Sequence, residues 1–172
     1  MPISVSTLSQ AASRSTVSKS SDRTITEAKT QGFQTAFLCH SHKDERLVIG
    51  LVTLLQETGW RVFVDWADST MPETPNRETA AKIKQRIVDT NYFLFLATSN
   101  SMSSRWCPWE IGYADGKKSL DRIIIIPTTD NSGTWHGHEY LQLYRNLDEA
   151  ASGELGVWEP GKPQGGVYVR NL

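Results

Sequence analysis

The octapeptide SSRWCPWE, Ser103 to Glu110, gathers two indoles, a thiol and a proline around one carboxylate. No Lys or Arg stands four residues further on to neutralise Glu110 along a helix face. A carboxylate held among Trp106, Trp109 and Tyr113 would be shielded from water, and its field on a developing positive charge would be stronger for it. The same residues equally describe a helix-surface glutamate beside core aromatics, and the pattern alone leaves both readings open. Cys107, near a helix start, could be an acidified nucleophile. Neither flanking tryptophan can serve as its base, so a buried structural thiol is the better reading. Two His-x-His pairs, His40/His42 and His136/His138, raise the question of zinc. Their spacing is loose and no cysteine pair joins them, so no metal site is expected.

The elements that must position these residues follow from hydrophobic period. TAFLC is a first strand, and Asp44 to Thr58 then sets Leu47, Leu51, Leu54 and Leu55 on one helical face, closing at Gly59. RVFVD is the second strand. WADSTMPETPN, with two prolines, is a long exposed loop in which Asp65 and Asp68 read as capping or solvated acids and Trp66 as an exposed indole. Asn76 caps the next helix, which turns Ala80, Ile83 and Ile87 inward. YFLFLAT and RIIIIP are apolar on both faces, as central parallel strands are. Ser103 or Ser104 caps the helix of the opening motif. Pro108 is tolerated only in or near a first turn, so regular helix is predicted from close to Glu110 to Asp115–Gly116. Beyond Pro127, HEYLQLYRNLDEAAS has helical spacing through Tyr140, Tyr144 and Leu147, and GVYVR looks like a closing edge strand.

At 172 residues and 38% hydrophobic content the chain suits one domain. Thirteen of the first thirty residues are Ser or Thr and large apolar residues are sparse, so 1–31 is predicted to be a flexible tail, removable without loss of the core, with the folded domain spanning 32–172. A formal charge of −1, from 18 basic and 19 acidic residues, gives no electrostatic footprint for nucleic acid or an anionic membrane. The longest apolar runs are far shorter than the ~20 residues a membrane-spanning helix needs. Two cysteines beside apolar or aromatic stretches argue against a disulfide framework and for a reducing, cytoplasmic setting.

The order of these elements over residues 34–127, with Ser104, Trp106, Cys107 and Glu110 forming a Ser-x-Trp-Cys-x-x-Glu pattern, resembles the TIR (Toll/interleukin-1 receptor) domain family. The pattern is closest to the plant and bacterial branches, and among these to stand-alone proteins of Thoeris-type antiphage systems. LCHSHKD resembles the family's first box, with His40 and His42 in place of more usual residues. The resemblance implies a flavodoxin-like α/β fold, a parallel sheet of order 2-1-3-4-5 flanked by helices, with a ligand crevice beyond the carboxyl ends of the first and third strands.

The same resemblance implies an activity. Enzymatic TIR domains cleave the nicotinamide–ribose bond of NAD with the glutamate that aligns with Glu110. NAD would be the substrate and no resident cofactor is implied. Nicotinamide already leaves from a cationic ring, so one carboxylate facing the oxocarbenium ion suffices without a general acid. His40, Ser41 and His42, just after the first strand, could bond the ribose or phosphates, or else be solvated loop residues ahead of a helix capped by Asp44. Trp66 could stack on a base, and Ser104 and Trp106 line the approach to Glu110. The product would be a linear, cyclic or conjugated ADP-ribose read by a downstream effector, and self-association into an oligomer or filament is expected. A non-catalytic TIR interaction module and a nucleoside deoxyribosyltransferase-like enzyme remain as alternatives.

Overall fold

The computed structural model describes residues 1–15, 25–65, 76–129, 133–134 and 138–172. Met71 and Pro72, in the long loop, lie outside the described residues, as do Trp66, Asp68 and His136. Short parallel strands alternate with helices. They are β1 (Ile3–Ser4), α1 (Val5–Ser13), α2 (Ile25–Thr30), β2 (Gln34–Cys39), α3 (Glu45–Glu57), β3 (Trp60–Phe63) and α4 (Arg77–Asp89). There follow β4 (Tyr92–Ala97), α5 (Ser99–Met102), α6 (Cys107–Asp115), β5 (Ile123–Thr129), β6 (Arg145–Glu149), β7 (Leu155–Trp158) and β8 (Val167–Tyr168).

The sheet runs β3-β2-β4-β5-β6-β7-β8. Counted from β2, its five parallel strands have the order 2-1-3-4-5, and β7 and β8 extend the edge antiparallel. Alternate residues of the central strands feed two cores. Ala36, Leu38, Leu94, Leu96, Ile124 and Ile126 pack under α3. Phe37, Phe93, Phe95 and Ile125 pack with Ile83 and Ile87 of α4 and with Cys107, Ile111 and Ala114 of α6. This double burial is why β4 and β5 carry almost no polar residue.

Local signals set the helices that frame the site. α3 ends at Gly59, whose φ of 89° is in the left-handed region. Asn76 caps α4 through a reciprocal bond with Thr79. Pro108 sits in the first turn of α6, where its missing N–H costs nothing.

Four expectations are corrected. The described parts of residues 1–31, namely 1–15 and 25–31, are not a loose tail: Ile3 pairs with Thr128 in β5, and Ile3, Leu8 and Ala11 are fully buried. Ser4 caps α1 by accepting from the Thr7 amide, and α1 crosses α3 so closely that a Cβ at Gly50 would run into the Leu8 carbonyl. The Ser/Thr-rich composition hides an amphipathic face only two residues wide, which suffices because α3 supplies the other half of the core. Second, the stretch after His138 is a short 3-10 turn, Glu139–Leu143, followed by β6 and not by a helix. The free edge of β5 takes Arg145 and Asn146 into its ladder, so tertiary pairing overrides the helical spacing. Third, α6 begins at Cys107, three residues before Glu110. Fourth, Asp44 lends no side-chain cap to α3, for reasons that belong to the site.

Candidate active site

β2 and β4 are neighbours in the sheet although a crossover separates them in the chain, so the switch point of the sheet, where open α/β folds bind ligands, lies beyond their carboxyl ends. Cys39 ends β2, and His40, Ser41 and His42 follow it. Asp65 follows β3, Thr98 follows β4, and Glu110 enters from the first turn of α6.

Glu110 is 5% exposed. Burial pushes its carboxyl from the ordinary 4.5 up to about 8; a hydrogen bond from the Cys39 thiol opposes the shift, and the charge of Asp65 adds to it. A buried acid with no basic group among the described charges acting on it is costly to keep in a core, which marks this position as a candidate site. Cys107 is fully buried, and its thiol donates to the His40 carbonyl at 3.3 Å. That geometry belongs to a structural thiol, as the sequence suggests.

His40 is buried, with Nδ1 2.9 Å from the Leu38 carbonyl. Since a carbonyl only accepts, Nδ1 carries the proton. Burial depresses its pKa, against the charge of Asp65. Its Nε2 is 3.4 Å from Asp65 Oδ1, and His42 Nε2 is 3.5 Å from Asp65 Oδ2. Asp65 is therefore not a merely solvated loop acid: it bridges the two imidazoles. Ser41 Oγ accepts from the Lys43 amide at the start of a 3-10 turn. Ser104 Oγ accepts from the amides of Trp106 and Cys107, fixing the start of α6 and with it the position of Glu110. Trp106 meets Trp109 edge to face, Trp109 stacks on Tyr113, and Lys84 of α4 lies over both of the latter rings.

Sequence reasoning gave Asp44 no role beyond a helix cap. Its buried carboxylate accepts from Thr98 Oγ1 at 2.5 Å and from Asn100 Nδ2 at 2.6 Å, tying the loop after β2 to the loop after β4. Thr98 in turn caps α5 through Ser101. The available signal was a Thr-Ser-Asn-Ser capping run directly after a central strand.

The TIR domain family model matches residues 36–155, and the chain belongs to that family. Membership sets aside the deoxyribosyltransferase-like alternative. The chain is 34% identical to "Probable 3' cyclic ADP-D-ribose synthase ThsB'" of Bacillus cereus (strain MSX-D12), a match covering 63% of this chain and 57% of that protein. It is also 26% identical to a protein of Cytobacillus dafuensis provisionally named cyclic ADP-D-ribose synthase TIR2, over 45% of this chain and 21% of that one. The chain therefore spans less than two thirds of the length of either relative.

Proposed function

We propose that the chain cleaves the nicotinamide–ribose bond of NAD and passes the ADP-ribosyl group to an acceptor within the same molecule, giving a cyclic ADP-ribose. The observation that carries this reading is a nearly sealed glutamate, with no basic partner among the charges acting on it, at the switch point of a TIR sheet. The names of two relatives support the cyclic product.

In the reaction the C1′–N bond breaks and its electron pair leaves with nicotinamide, which departs neutral. The ribosyl oxocarbenium ion is held opposite the Glu110 carboxylate until a nucleophile of the same molecule attacks C1′ and loses its proton. In the free protein Glu110 holds its proton up to about pH 8. The cationic nicotinamide ring, brought alongside, favours the ionised form, so substrate binding generates the charge that catalysis uses. His40, Ser41 and His42 hold ribose or phosphate oxygens, with Ser104 and Trp106 on the approach. The product acts as a diffusible signal in bacterial antiphage defence, made in the cytoplasm by self-associating copies and read by an effector protein.

Incubating purified protein with NAD tests this directly. Nicotinamide release together with a product one water lighter than ADP-ribose is expected, and both should be lost in Glu110→Gln. Release of nicotinamide by that variant at the wild-type rate would overturn the assignment.

A further inference from the structure

His40, His42 and Asp65 present three ligand atoms within 4.8 Å of one another at the rim of the crevice. Ser41 is extended (φ −88°, ψ 138°), so the two imidazoles on either side of it project to the same side of the chain. β3 is hydrogen-bonded to β2, and the residue two beyond its end brings Asp65 beneath them. The sequence argument against a metal concerned two His-x-His pairs on separate strands. The set assembled here needs only one pair and a carboxylate from the adjacent strand.

Its dimensions suit zinc. Zn–N and Zn–O bonds of about 2.0–2.2 Å in a tetrahedron place neighbouring ligand atoms roughly 3.4 Å apart. The separation of His40 Nε2 from Asp65 Oδ1, 3.4 Å, already has that length, and His42 Nε2 approaches the other carboxylate oxygen, Oδ2, at 3.5 Å. The remaining His–His edge can shorten by rotation of His42, whose side chain is 73% exposed. His40 is held as metal-ligating histidines are: its Nδ1–H is committed to a backbone carbonyl, which orients the ring with Nε2 toward Asp65.

We propose that His40, His42 and Asp65 form a binding site for one zinc ion, His40 and His42 each donating through Nε2 and Asp65 through a carboxylate oxygen, with the fourth position open to solvent on the His42 side. The proposal draws on His40 and His42, which the NAD reading also uses, and its test contains no nucleotide, so failure of the one is distinguishable from failure of the other. The full chain, stripped with a chelator, is titrated with zinc chloride alone by calorimetry, and the metal retained after dialysis is counted. One zinc per chain is expected. His42→Ala and Asp65→Asn should each weaken binding by more than about 100-fold, above the loss typical of removing a partner that merely orients a ligand. Cys107→Ser should leave it unchanged. Because His42 is exposed, its variant keeps the fold, which circular dichroism verifies, and it decides the matter if Asp65→Asn does not fold. Cobalt(II) should give visible bands of a nitrogen and oxygen site without thiolate charge transfer. Absence of saturable binding, binding indifferent to His42→Ala, or binding abolished by Cys107→Ser would each overturn the proposal.

Discussion

Replacing Glu110 by Gln should stabilise the protein, and by an amount that depends on pH. In the folded chain the carboxyl titrates at about 8, against an ordinary value of 4.5 once the chain unfolds. A group whose folded pKa is raised binds its proton more tightly in the native state. Its contribution is therefore fully present below pH 4.5 and is lost as the pH climbs from 4.5 to about 8. At 1.36 kcal/mol per unit, the loss is about 3 kcal/mol at pH 7 and about 5 kcal/mol by pH 9. Glutamine has the shape of the protonated acid, offers an oxygen to the Cys39 thiol, and never ionises. Urea unfolding of the two proteins at pH 5, 7 and 9 should give curves that nearly coincide at pH 5 and separate progressively, the variant being the more stable. Parallel stability curves from pH 5 to 9 would refute the reasoning, since they would mean that Glu110 reaches solvent and ionises in the native state without penalty. Nicotinamide release serves as the companion assay, with a loss of more than about 100-fold, the scale on which a preorganised electrostatic group contributes.

If the ionised glutamate is the working form, kcat/KM for NAD should fall about tenfold for each pH unit below about 8; initial rates at subsaturating NAD check this, and a flat profile from pH 6 to 8 would count against it. Leu8→Ala removes a fully buried side chain between α1 and α3 and should cost roughly 2–5 kcal/mol, with deletion of residues 1–15 costing at least as much; a melting temperature unmoved by the deletion would show that the segment is not part of the core. Asp44→Ala leaves the Thr98 hydroxyl and the Asn100 amide without their acceptor, at roughly 1–3 kcal/mol, and should weaken NAD binding by freeing the loop after β4; titration calorimetry with the inactive Glu110→Gln background separates that effect from catalysis.

What could be read from the sequence was whatever one segment decides by itself. β4 and β5 declare themselves because both of their faces are covered, and Asn76 declares α4 because its cap is local. Glu110 was conspicuous for the same reason, its neighbours in the chain being those of a sheltered helix start. The features that escaped depend on partners far along the chain. Arg145–Glu149 has a single fully buried residue, Leu147, and becomes a strand because β5 offers an edge. Asp65 looked like any loop acid until β3 was laid beside β2. Ile3, Leu8 and Ala11 are too few to mark a core element and become one against the Gly50 face of α3.

The backbone bonds between Met1 and Glu149 join residues 148 apart in sequence. A ribosome adding about 5–20 residues per second needs roughly 7–30 s to travel that distance. α3, which covers Leu8, is made early in that interval, whereas the β5 edge that pairs with Ile3 comes only near its end. β1 is thus seated only after β5, although it stands far ahead of it in the sequence, and a nascent chain interrupted before β6 carries Glu110 on a sheet whose border is still open. The sheet that positions Glu110 is closed in this way by a strand made long after the glutamate's own helix.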